Sequence, residues 1–282
     1  LPYHNHEEGV AIMAGTTKPR EKAVPKYFEK APEAASYISG ILLLLVGCAA
    51  IVIGILSQVG GITALVIGLF VIVIGLFSCA NTKALRYLAV ADARTRPSDT
   101  QMDAWKDESL AQIKRDGLAK LDLERGQVLG DPDDPLAVVG PASGARWAVG
   151  KDGMIRFSRY DVLIVFLTDY HLAAFQCVLD LASGTLRQES TREYHYTDVV
   201  SVATETVGSE WTVTMMDNSN KSVASYQTFS LSVANGDRIQ VAVAFPQLED
   251  IIKNGRLGAT GADNAIKTIR AMLREKKGGA PA

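Results

Sequence analysis

Charge of one sign is missing from this chain: 29 lysines and arginines stand against 31 aspartates and glutamates in 282 residues. Gripping nucleic acid through its phosphates needs a basic face, so no nucleic-acid partner is expected. The same balance excludes an acidic solvated tail. Charged residues reach 21% against 48% apolar, which excludes a disordered chain. Cysteine is scarce too, and three scattered residues make neither a disulfide scaffold nor a structural zinc site. Histidine numbers four, and Gly-x-Ser-x-Gly, Gly-Lys-Ser/Thr and His-Glu-x-x-His are all absent. No catalytic residue, cofactor or metal ligand is therefore nominated, and the chain is expected not to be an enzyme.

Three weaker patterns fail on context. His4 and His6 form a His-x-His near a frayed start, with Met13 reading like a natural initiator. Asp131, Asp133 and Asp134 lack the central glycine and distal glutamate of a calcium loop. Gly255, Gly258 and Gly261 follow a helical stretch rather than a strand, which suits a linker and not a phosphate loop.

Long apolar runs are abundant. Residues 38–56 and 62–80 carry no charge, and each as a helix covers roughly 28 Å, a bilayer core. The five residues between them allow only a tight turn. Neither run has the polar stripe of a soluble helix. Lys18, Arg20, Lys22, Lys26 and Lys30 precede the runs, and Lys83, Arg86, Arg94 and Arg96 follow them. The positive-inside rule then puts both termini in the cytoplasm, as a multi-pass protein of a plasma (bacterial inner) membrane. Leu45-Val46-Gly47-Cys48 matches a lipoprotein signal, but apolar residues continue beyond Cys48 where a lipoprotein turns polar. Glycines recur every seven residues, at Gly40, Gly47 and Gly54, then Gly61, Gly68 and Gly75. Seven residues return to nearly the same helix face. Small residues let helices pack closely in lipid, so the bilayer and further copies of the chain are the expected partners.

The remaining two hundred residues have a different texture. Ser98 and Gln101 fit a capping box opening an amphipathic helix to about residue 123. From 145 to 245, short β-branched and aromatic runs alternate with turn residues such as Asp152-Gly153, Ser183-Gly184 and Asn235-Gly236. They predict strands at 146–149, 154–157, 162–167, 172–181, 186–193, 199–207, 211–216, 222–226, 229–233 and 239–244. A last helix is expected at 264–277. The fold class is thus α+β: a two-helix transmembrane hairpin plus a cytoplasmic antiparallel β-barrel or sandwich with a C-terminal helix. Its parts are a loosely ordered basic arm (1–36), the hairpin (37–80), a helical stalk (81–130), a linker (131–144) and the β domain (145–282).

Leu167-Thr168-Asp169 at the end of an apolar strand, and Tyr196-Thr197-Asp198-Val199-Val200-Ser201-Val202 introducing a later one, carry a likeness. On these segments the β domain resembles the bacterial pleckstrin-homology-like domain. The resemblance implies a barrel capped by the terminal helix and a role as an assembly or binding module. No Lys or Arg occurs from Tyr160 through Leu186, so inositide binding at the first hairpin is not expected. His171, Tyr194, His195, Tyr196 and Asp198 cluster around the two matching segments and form the candidate binding surface. The resulting expectation is a membrane-anchored, non-catalytic scaffold that self-assembles and recruits a cytoplasmic protein. The alternative is a subunit of an oligomeric channel or transport complex, which the lack of polar residues in the spans weakens.

Overall fold

The run Val162 to Leu167 has no polar residue at any second position, so a strand made from it needs cover on both faces. It gets both. The computed structural model describes residues 14–29, 73, 96–214, 220–247 and 255–278, apart from the side chains of 14–19, 213 and 221. The chain divides into two units, Lys30–Arg96 and the remainder, and the remainder holds the elements that follow. They are α1 (Ala14–Tyr27), α2 (Asp99–Lys120), β1 (Leu136–Pro141), β2 (Trp147–Val149), β3 (Ile155–Phe157), β4 (Arg159–Leu167), β5 (His171–Asp180), β6 (Leu186–His195), β7 (Val199–Val207), β8 (Trp211–Thr214), β9 (Asn220–Val223), β10 (Tyr226–Val233), β11 (Arg238–Ala244) and α3 (Ala262–Lys276).

Two antiparallel sheets dominate, ordered β1-β4-β5-β6 and β11-β10-β7, with β2-β3 and β8-β9 as small hairpins. Leu163, Val165 and Leu167 point inward, toward Phe229, Leu231, Val241 and Ile269 of the three-stranded sheet and α3. Val162, Ile164 and Phe166 point outward, with Phe175 and Leu179, into a second core. That core is roofed by Met102 and Ile113 of α2 and by Val24, Tyr27 and Phe28 of α1 and the residue after it. Gly117 of α2 allows this approach, since a Cβ there would lie 3.2 Å from the Phe175 ring. Ser98 caps α2, its hydroxyl accepting from the Gln101 amide at 3.1 Å.

Several expectations are corrected here. No closed barrel forms. The inner edge of β11 meets β1 without a ladder: a Cβ on Gly140 would sit 1.7 Å from the Ala242 carbonyl oxygen. The Val139 amide, which closure would use, donates instead to Thr260 O at 2.9 Å. On the other side β6 and β7 follow one another in sequence yet belong to different sheets.

The transmembrane hairpin, the membrane character and the multi-pass inner-membrane localisation are also overturned. Among the described residues no helix is long and apolar enough to cross a membrane. The two long helices α2 and α3 carry charges throughout, and α1 is basic. Residues 38–56 and 62–80, with Gly40, Gly47, Gly54, Gly61, Gly68 and Gly75, lie outside the described residues. The basic arm, expected to be loosely ordered, contains α1. Its Arg20 is buried, donating to Leu181 O at 2.6 Å and to Ser109 Oγ at 2.9 Å.

Candidate binding surface

Three turns gather at one end of the two-sheet core. Thr168 to Tyr170 joins β4 to β5, Tyr196 to Asp198 joins β6 to β7, and Ala234 to Asp237 joins β10 to β11. They are stitched together. Tyr196 Oη donates to Thr168 O at 2.7 Å, the Ala234 amide donates to Asp198 O at 2.8 Å, and Tyr194 Oη donates to Asp237 Oδ2 at 2.5 Å. The C-terminal end of α3 closes the same end: Lys276 pairs with Asp169 at 3.3 Å, and Lys277 donates to Val199 O at 2.6 Å. Cations there also suit the helix dipole.

The five candidate residues all fall at this end, but in two roles. Tyr194 and Tyr196 are buried and belong to the fold. Burial first, then the Asp237 bond, pushes the Tyr194 phenol up, and burial pushes Tyr196 up to about 12. Neither phenol ionises near neutrality. His171 is half-buried: its Nδ1 lies 3.2 Å from Thr168 Oγ1, and its Nε2 lies 3.8 Å from Glu193 with no hydrogen bond. Directly across the ladder from it stands His195. His195 and Asp198 are exposed.

Sequence reading missed three side chains at this end. Tyr170 is 79% exposed, Val200 68% and Leu129 36%. Thr168 explains Tyr170: its Oγ1 accepts the Tyr170 and His171 amides at 3.3 and 3.0 Å, tying a tight turn that leaves residue 170 at the tip. Leu129 joins through its amide, which donates to Leu167 O at 2.7 Å. The signal was available in Thr-Asp-Tyr-His, where an aromatic at a turn tip has nothing to pack on.

Three concavities meet elsewhere, around Ala259 and Thr260, with volumes of about 470, 570 and 510 Å³. The first has an apolar floor of Leu110, Val139, Phe157 and Val243 beneath Asp103, Lys106 and Arg156. Its polar groups serve the fold. Arg156 forks onto Asp103 at 2.9 and 2.7 Å and onto Asp152 at 3.0 and 2.7 Å. Lys114, on the rim of the second, pairs with Asp134 at 2.5 Å. The Cys177 thiol, buried in the outer core, is pushed up to about 12 by burial and is no nucleophile. Among the described residues no three acidic, histidine or cysteine side chains converge to hold a metal.

No protein-family model matches the chain, and no curated protein or solved structure matches it either.

Proposed function

We propose that this chain is a non-catalytic binding module that assembles with copies of itself through the three-turn end. The observation that carries this reading is the exposure of Tyr170 and Val200 at the same end as His195 and Asp198. Among the described residues the Tyr170 ring and the His195 imidazole make no hydrogen bond or ion pair, so their binding capacity is unspent. In the groove beside α2, by contrast, the charged groups are consumed by one another. Exposed aromatics flanked by polar groups are what interfaces concentrate.

Charge favours a second copy as the occupant. Asp169, Asp198 and Glu193 are interleaved with Lys276 and Lys277. A two-fold interface sets each patch against itself, and a patch of both signs can satisfy that where one sign would repel. The likeness to the bacterial pleckstrin-homology-like domain supports the same reading. The two segments that carry it touch through Tyr196 and Thr168, and α3 packs on β1 and β7 where a capping helix is implied.

The test is photo-cross-linking. A photoreactive residue in place of Tyr170 in the full chain should trap a dimer of the chain, whereas one at exposed Glu210, beyond the far end of β7, should not. Absence of dimer from position 170 would sink the reading.

A further inference from the structure

The inner face of the four-stranded sheet is apolar along most of its length, but near its far end it carries a polar line with one unpaired carboxylate. Asp161 of β4 lies diagonally from Gln176 of β5, and Gln176 lies diagonally from Arg192 of β6. The Gln176 amide has no spare hydrogen. Its Nε2 donates to Asp161 Oδ1 at 3.1 Å and to Gln240 O, on the free edge of β11, at 3.1 Å. Its Oε1 accepts from Arg192 Nη1 at 3.4 Å. Arg192 Nε in turn faces the Asp237 carboxylate at 3.4 Å, the group that also accepts from Tyr194. One side-chain amide thus links a carboxylate, the edge of the opposite sheet and an arginine that reaches the three-turn end.

We propose that Asp161, Gln176 and Arg192 form a proton-controlled latch between the two sheets: a proton on Asp161 reverses the Gln176 amide, which releases Arg192 and the β11 edge.

The geometry gives the reason. An ionised Asp161 only accepts, so it holds the NH2 end of Gln176 toward itself. A proton taken from solvent turns Asp161 into a donor. The acceptor within reach is Gln176 Oε1 once the amide has turned. Turning presents NH2 to the Arg192 guanidinium, where two donors meet, and removes the donor from Gln240 O. Arg192 then keeps Asp237 and the Ser190 hydroxyl, to which its Nη1 donates at 3.1 Å, and loses only Gln176.

The groups around Asp161 set where this happens. Gln176 faces it from β5, Gly140 backbone from β1 and the Gln240 carbonyl from β11, with Arg192 one step away on β6; the neutral Cys177 thiol lies on the other face of the sheet, in the outer core. Among the described residues no cation pairs with it. Burial raises the Asp161 carboxyl to about 6, against the lowering by the Gln176 bond. Asp237 is held below the usual carboxylate range, by the Tyr194 bond first, so a transition near 6 is not its own.

The experiment is nuclear magnetic resonance of the full chain, following the Gln176 Nε2 and Arg192 Nε signals from about pH 4.5 to 8. Both should move together with one midpoint close to 6. In Asp161→Asn neither should move. In Gln176→Met, which keeps the volume but not the amide, Asp161 should still titrate while Arg192 stays still. An Arg192 signal that is static in the wild type, or that still follows the same midpoint in Gln176→Met, overturns the latch. The readout is independent of self-association, so it stands or fails apart from the assembly reading.

Discussion

Arg156 shows how one residue joins parts that are far apart in sequence. Only 4% exposed, it holds Asp103 of α2 and Asp152 of the β2–β3 turn, and its Nη1 lies 3.5 Å from Tyr27 Oη at the end of α1. Gly150 makes the room, since a Cβ there would lie 2.2 Å from that Nη1. Removing the cation leaves Asp103 and Asp152, with Asp99 at 3.8 Å, as three carboxylates without it. Because Asp103 and Asp152 are half-exposed, the cost of Arg156→Met is expected near the low end for a broken buried pair, on the order of 3 kcal/mol. Urea unfolding at neutral pH measures it. The Arg156 bond first, then the Met154 amide, holds the Asp152 carboxyl well below the usual range. Its stabilisation is therefore present above the unfolded value and fades as pH falls through the folded one. Arg156→Met should accordingly flatten the acid side of the stability profile.

Asp161 has the opposite sign. Its folded value, about 6, lies above the unfolded one, so its contribution is complete below about pH 3.9 and lost as pH rises through 6. Asp161→Asn should stabilise the protein by on the order of 2 kcal/mol at about pH 8 and by nothing near pH 4. An equal effect at both pH values would contradict this. Neither residue was legible in sequence, because partners 53 residues away for Arg156 and 15 for Asp161 leave no local pattern.

At the scale of elements, what could be read was what periodicity records. The expected strand at 199–207 coincides with β7, and the apolar run at 162–167 is the body of β4. The expected break between 226 and 229 was misplaced. Here β9 ends at Val223 and β10 begins at Tyr226, with Ala224 and Ser225 turning the chain without a glycine or asparagine to mark it. Strand β1 was passed over because it lies among Pro132, Pro135 and Pro141. Pro141 is tolerated as the last residue of an edge strand. The tight crossing of β1 and β11 was equally hidden, since Gly140 carries no pattern until Ala242 is placed against it. Gly140→Ala should cost more than about 3 kcal/mol or prevent folding, as overpacking against backbone has no side chain to yield. Gly126→Ala, with nothing within 4 Å of the added carbon, should stay within about 0.5 kcal/mol. Thermal unfolding of the pair checks both. Equal losses would mean the sheets do not cross as tightly as described.

At the scale of the molecule, the many short antiparallel strands and the terminal helix were legible, while the expected fold class, a transmembrane hairpin with a closed barrel, was overturned and how the sheets meet was not legible. A closed barrel needs β1 and β11 to share a ladder. Whether they do rests on Thr260, which arrives from a distant loop to take the Val139 amide. The candidate surface was legible in position but not in roles: Tyr194 and Tyr196 serve the fold, while Tyr170 and Val200, never singled out, are the exposed groups. The central claim is that this end binds a second copy. Its most direct test is the mass of the purified full chain by light scattering, wild type beside the double variant Tyr170→Asp, Val200→Asp. Both sites are solvent-exposed, so folding should persist. The account predicts a dimer or larger species for the wild type and a monomer for the variant; a wild type that is monomeric, or a variant that assembles as well as the wild type, would contradict it.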